Sequence, residues 1–270
     1  MCAAAPFSNG QLAFSLGLYP WAYCKKGSTN FAQEFGVKER QDGSALLPAS
    51  GSGISKKGKS MYRLHCFAQS GNCYKVALML ALTGLPWEPV FVDFFKGETR
   101  EERYRSEVNE QGEAPVLEID GKRMSQSGVI LDLLARETGK FAPGDEDERA
   151  QCWRWILFDN HKFTGYLSVY RFLRTFMKDT DPAVLAFLKA RAERAFAIAD
   201  KHFSNHAFLL GERPTIADIS MAGYVFFPVE ETGFDFKGSY PSIDAWRERI
   251  KALPGWQHPY DLMPGHPLPG

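Results

Sequence analysis

The sequence predicts a two-part protein: a small α/β unit in the order βαβ–ββα, then an all-helical unit. Three observations lead there. A short aromatic segment, Tyr62 to Phe67, turns through Ser70-Gly71-Asn72-Cys73 into an apolar helix. Asp120-Gly121 stands between two short runs, the signature of a two-residue hairpin. From about Asp145 onward every periodic segment is helical, with proline and glycine marking the breaks.

Taken in order, residues 1–60 stand apart. They carry Gly-Ser clusters such as Gly51-Ser52-Gly53, seven Lys and Arg against three Asp and Glu, and no sustained period. They read as a poorly ordered arm, with Met61 as an alternative translational start. Tyr62 to Phe67 is the first strand, and Tyr74 to Leu82 a helix closed by Gly84 and Pro86. Pro89 to Phe94 forms the second strand, and the charged stretch Lys96 to Glu110 a surface helix or loop. Glu113 to Ile119 and Lys122 to Met124 flank the hairpin turn; Pro115 cannot donate to a ladder and belongs at the strand's start. Ser125-Gln126-Ser127 opens a helix with Val129, Ile130, Leu133 and Leu134 on one face, ending at Gly139.

In the helical unit, Glu146 to Phe158 continues into an aromatic run through Phe163, Tyr166, Tyr170 and Phe172. Asp181-Pro182 is an N-cap followed by proline at the first helical position. Thr215 and Asp218 form a capping-box variant. A last helix, Ser242 to Leu253, places Trp246, Ile250 and Leu253 on one face, and the residues from 259 to 270 read as a loose tail.

Composition narrows the class. Apolar content of 44% and charged content of 24% are ordinary for a globular protein. The net charge is zero and no long basic run occurs, so no nucleic-acid partner is expected. No apolar stretch approaches the ~20 residues that span a bilayer, and no Lys or Arg precedes Lys25 to make a secretory signal. Five scattered cysteines without a C-x-x-C pair argue against a disulfide framework and a thiolate zinc site. His202 and His206, four apart, find no third ligand nearby and suit a helix C-terminus. The expectation is a cytoplasmic protein with no membrane partner and no metal.

The strand–turn–helix at Ser70 leaves backbone N–H groups unpaired at a helix start, where an anion is favoured. Taken alone, Ser70 is also an ordinary N-cap. Combined with Ala114-Pro115-Val116, Gln126-Ser127 and Arg213-Pro214-Thr215-Ile216-Ala217-Asp218, it resembles the soluble, cytosolic-type glutathione transferase family. The resemblance runs from Met61 to about Trp256. It implies a thioredoxin-like glutathione-binding domain over 61–140 and an all-helical C-terminal domain over 146–258.

The resemblance also implies roles. The proline matching Pro115 is cis in the family, turning the backbone of Ala114 toward the cysteinyl unit of glutathione. Gln126 and Ser127 match the pair that holds the γ-glutamyl group. Glu113 departs from the usual residue there and receives no role. Three residues compete for the thiol. Ser70 matches the serine of serine-dependent classes. With Asn72 it also resembles the Thr-x-Asn arrangement of a bacterial class associated with disulfide reduction. Cys73 matches the cysteine of a cysteine-dependent class, or is a buried thiol without a catalytic part.

The leading expectation is thus a glutathione transferase that attacks a hydrophobic, electrophilic small molecule with the bound thiolate, acting in detoxification. The alternatives are a glutathione-dependent disulfide or peroxide reductase and a non-catalytic interaction protein of the same fold. Glutathione is the expected co-substrate, a homodimer the expected assembly. Phe67, Trp155, Phe158, Tyr166 and Tyr170 are candidates for the acceptor pocket.

Overall fold

The computed structural model describes residues 61–268; the expected N-terminal arm lies outside the described residues. Strand β1 (Tyr62–Cys66) lies inside a four-stranded sheet of order β2-β1-β3-β4. Helix α1 (Gly71–Thr83) buries all of its residues except Asn72 and Ala81. A helix that is buried all round must be covered on more than one side, and α1 lies between the sheet unit and the helical one. Gly84, at φ 71°, ends it by donating its N–H to the carbonyls of Leu80 and Ala81.

Strand β2 (Trp87–Phe91) pairs parallel to β1 and contains Pro89, facing Leu64. The sequence places that strand two residues later, starting at the proline. As the sheet's edge, β2 accommodates a nitrogen without a proton. It ends earlier because the Asp93 side chain accepts from Lys96 N and caps a tight turn. In the charged stretch the 3-10 turns Phe94–Lys96 and Glu98–Arg100 lead into one short α-helix, α2 (Glu102–Glu107), anchored by Tyr104, whose hydroxyl donates to the Glu113 carbonyl at 3.0 Å. Strands β3 (Val116–Ile119) and β4 (Lys122–Ser125) form the expected hairpin. Asp120 and Gly121 both take positive φ, 50° and 74°, as a type I′ turn requires. Helix α3 (Ser127–Thr138) buries Ile130, Leu131 and Leu134, whereas Val129 faces outward.

The remainder is helical: α4 (Glu146–Phe158), a π-helical turn over Asp159–Phe163, then α5 (Thr164–Phe176) and α6 (Pro182–Phe203). Asp181 caps α6 with Pro182 at its first position. Helices α7 (Ile216–Met221), α8 (Val229–Thr232), α9 (Phe236–Ser239), α10 (Pro241–Lys251) and α11 (Pro259–Leu262) follow. The architecture is therefore a βαβ–ββα domain followed by an all-helical domain.

Pro264 and Gly265, within the stretch expected as a loose tail, pack back on the first domain, as does Gln257 just before it. Ala68 N donates to the Pro264 carbonyl at 2.8 Å, Gln69 Nε2 to the Gly265 carbonyl at 2.7 Å, and the Tyr74 hydroxyl to the Gln257 carbonyl at 2.8 Å. Local composition read as loose because the partners lie nearly two hundred positions away.

Asp218 closes the helical core. Its carboxylate accepts from Thr215 N at 2.9 Å, Leu209 N at 2.9 Å and Trp246 Nε1 at 3.1 Å. Burial pushes its carboxyl up from 3.8 to about 6, against the downward pull of those hydrogen bonds. The folded carboxyl thus titrates above the unfolded one, and the folded state holds the extra proton between those values. This group's contribution to stability therefore falls as pH rises from 3.8 to about 6. Asp218→Asn is expected to abolish that slope. Because it sets an amide donor among donors, it should also cost about 1–3 kcal/mol at neutral pH. Denaturant titrations across that pH window read both effects.

Candidate functional site

A cavity of about 470 Å³ opens between the β1–α1 turn, the start of α3, and α5, within the range of small-molecule sites. Ser70 is the N-cap of α1, with its Oγ accepting from Cys73 N at 3.2 Å. Ser70 and Asn72 both line the cavity. Ala114 lines it from the opposite segment, and the Ala114–Pro115 bond is cis. Gln126 and Ser127 complete this wall. Gln126 holds φ at 67°, a left-handed conformation that costs a non-glycine residue energy. Its Nε2 donates to Gln111 Oε1 at 2.9 Å and Glu113 Oε2 at 3.0 Å. Glu113, unassigned from the sequence, thus orients Gln126. The N-termini of α1 and α3 both meet this space with the positive ends of their dipoles, and α3, which has no side-chain cap, presents free N–H groups as well.

Five of the six expected site residues share the cavity; Cys73 does not. Its thiol is fully buried in the core. Burial pushes that thiol up to about 11, although hydrogen bonds from the Ser70 side chain and the Phe67 backbone oppose the shift.

The other wall is aromatic. Phe67 stacks on Phe94 with centroids 4.7 Å apart, Phe94 meets Phe172 edge-on at 6.2 Å, and Phe95 lies 5.2 Å from Phe176. Of the aromatic residues expected here, Phe67 alone lines the cavity. Trp155 packs against Phe158 and His202, Tyr170 against Phe234, and Tyr166 near Arg191. The lining face runs instead through Asn160, Thr164, Ser168, Phe172 and Phe176 at intervals of four. The period was right and the face was wrong. Small residues at Thr164, Gly165 and Ser168 were the available signal, since a cavity needs room.

Arg171, also unforeseen, is buried at the cavity's base. Its Nη1 donates to the Gln69 carbonyl at 2.7 Å and its Nε to Glu231 Oε2 at 3.0 Å. Its Nη2 reaches Glu231 and the Tyr260 hydroxyl, and its guanidinium lies 3.8 Å over the Phe227 ring. This network holds the residue just before Ser70. Tyr224, from beyond α7, lines the cavity beside Ser70. His202 and His206 stack face to face and bond backbone carbonyls. Among the described residues no group of three or more His, Cys, Asp or Glu is placed to hold a metal, and no helix is long and apolar enough to cross a membrane.

Comparison with known proteins follows the same division. Residues 64–141 match the model of the glutathione S-transferase N-terminal domain, and residues 168–254 that of the C-terminal domain. A crystal structure of a glutathione S-transferase from Pseudomonas fluorescens superposes with a TM-score of 0.68 at 34% identity, covering 73% of this chain and 97% of that one. The chain belongs to the glutathione S-transferase family. Within that family, it is 27% identical to Glutathione S-transferase F14 of Arabidopsis thaliana, over 78% of this chain and 89% of that protein. It is 28% identical to Disulfide-bond oxidoreductase YfcG of Escherichia coli, over 70% and 89% respectively.

In this family member a buried ion pair joins the N-terminal domain to the helical one. Lys75 Nζ of α1 lies 2.7 Å from Asp159 Oδ2 and 2.9 Å from Asn160 Oδ1, and neither Lys75 nor Asp159 is exposed. Asp159 also accepts from the Ser220 hydroxyl at 2.7 Å and from Thr164 N at 3.2 Å. Lys75→Met strands that carboxylate. The expected cost is about 3–5 kcal/mol, measured by chemical denaturation.

Proposed function

We propose that this chain is a serine-type glutathione transferase: it binds glutathione, stabilises its thiolate and directs it at an electrophilic small molecule. One observation carries the reading. The capped turn of α1 shares a single cavity with Ala114, Gln126 and Ser127 on one side and a phenylalanine wall on the other.

Glutathione is an extended, anionic peptide thiol, and this wall offers what such a molecule needs. The Ala114 backbone pairs with the cysteinyl unit as a short strand addition. The N–H and hydroxyl of Ser127 receive the γ-glutamyl carboxylate at the start of α3. Gln126, held by Glu113 and Gln111, accepts from the ligand's ammonium group.

The cysteinyl sulfur then falls at the start of α1. A free thiol has a pKa near ~8.5, and the dipole, the Ser70 hydroxyl and the Asn72 amide favour its anion. The thiol proton leaves to solvent. The sulfur's electron pair forms the new S–C bond, and the acceptor's leaving group departs with its own pair. The apolar face of Phe67, Phe94, Phe95, Phe172 and Phe176 suits a flat hydrophobic acceptor. On this reading residues 61–140 form the glutathione-binding domain and residues 146–258 complete the acceptor side.

Conjugation of glutathione to a chlorodinitrobenzene is the direct measurement. Ser70→Ala is expected to lower kcat/KM at neutral pH by about tenfold or more, the scale of one charge-assisted hydrogen bond. An unchanged rate would remove Ser70 from the role. Failure of the native protein to bind immobilised glutathione would favour a non-catalytic protein of this fold.

The similarity to a disulfide-bond oxidoreductase, together with Asn72 on the cavity, gives a second reading, glutathione-dependent disulfide reduction. The buried Cys73 supports a route that uses glutathione thiols alone. Cys73→Ala is accordingly expected to keep its turnover of hydroxyethyl disulfide within about twofold; a loss of tenfold or more would restore a protein-thiol route.

A further inference from the structure

The β1–α1 turn contains no tyrosine, yet the fold brings one to it. Tyr224 lies just beyond α7 and is 8% exposed, with that surface on the cavity. One edge of its ring lies against the first residue of α1. A Cβ added at Gly71 would sit 2.3 Å from Tyr224 Cδ2, 2.4 Å from Cε2 and 2.5 Å from the Gly223 carbonyl oxygen. Only glycine at position 71 lets an aromatic ring come this close to the helix end. This requirement is independent of any capping role for the turn.

The approach places the phenol oxygen against the backbone N–H groups of Gly71 and Asn72. These belong to the first-turn donors that no helical carbonyl can satisfy. The next donor, Cys73 N, is already taken by Ser70 Oγ. With its lone pairs turned to the helix amides, the phenol has its own proton left to give. Among the described residues, no carbonyl or carboxylate accepts it. The open side of the ring is the cavity, beside Ser70 and Asn72.

The charged and titratable groups around Tyr224 agree with a neutral donor. Arg171 of α5 stands 6.0 Å from its ring and is paired with Glu231 of α8. Cys73 of α1 is the other titratable neighbour, and burial raises both that thiol and the phenol. Tyr224 therefore keeps its proton at neutral pH, as a hydrogen-bond donor must.

We infer that the Tyr224 hydroxyl is a second donor to the glutathione sulfur, supplied by the helical domain and acting alongside Ser70. The inference rests on the glutathione-transferase reading and names a further residue in contact with the reacting atom. Tyr224 donates a hydrogen bond and is not deprotonated; the proton lost is the thiol's own, released to solvent.

The test is an ultraviolet titration of the thiolate of bound glutathione in the native protein, Tyr224→Phe and Ser70→Ala, paired with conjugation kinetics. Phenylalanine keeps the ring against Gly71 and removes only the hydroxyl. In Tyr224→Phe the bound thiol's pKa is expected to rise by about one unit. Turnover at saturating glutathione and neutral pH should fall by about tenfold, with glutathione affinity held within about threefold. Tyr224→Trp, without a hydroxyl at that point, should repeat the loss. A thiol pKa and saturated turnover unchanged in Tyr224→Phe overturn the inference while leaving the transferase reading intact. A loss of affinity with both unchanged also overturns it, because it marks a merely structural role. If the native protein binds no glutathione, the transferase reading and the inference fall together.

Discussion

The pair between Lys75 and Asp159 is the constraint on which the rest of the molecule turns. A lysine in the middle of a buried helix would be intolerable in an apolar environment, and so would a carboxylate opposite it. Each is accepted because the other is there, with Asn160, Ser220 and Thr164 taking up the remaining hydrogen bonds. The pair can exist in one relative placement of α1, the π-helical turn and α7. That placement sets the α1 turn against the α5 face and so creates the cavity. Such a pair gives little net stability; its value lies in the cost of any other arrangement.

Around this pair, the two walls of the site follow different physics. The α1 and α3 wall is polar, made of backbone and small side chains held in strained or capped conformations. The opposite wall is apolar, built from Phe67, Phe94 and Phe95 of the first domain with Phe172 and Phe176 of α5, and these rings pack on one another as much as on the space they enclose. A peptide thiol and a hydrophobic acceptor need those two environments side by side.

Much of the polar wall was legible in the sequence because its signals are local. Ser70 followed by Asn72, Ala114 before Pro115, and Gln126 before Ser127 each declare a turn or helix start within a few residues. So do Asp120-Gly121 in the hairpin and Thr215 with Asp218 in the capping box. Of the aromatic wall only Phe67 was legible. Helical periodicity picks out stripes without saying which one faces a void, and Tyr166 and Ser168 lie roughly 200° apart on a helix. The π-helical turn at Asp159–Phe163 also shifts the phase between α4 and α5, and no residue there announces it. Arg171 and Tyr224 reach the site from far along the chain, so short-range patterns carry no trace of them. Strand β2 begins two residues before the proline that marks a strand's start in the sequence, because an edge position admits proline within the strand.

The contacts between the β1–α1 turn and the C-terminal segment bear on the order in which the protein can mature. The Gln69 side chain and the Gly265 carbonyl are separated by 196 positions, and the Ala68 amide meets Pro264 across a similar span. During synthesis the first domain leaves the ribosome long before these partners do. Its sheet and hairpin close through shorter loops, but the turn that carries Ser70 waits for nearly the whole remaining chain. The turn that lines the cavity is thus the part of the first domain to be finished last, and a nascent chain stays without a completed cavity until its helical half has arrived.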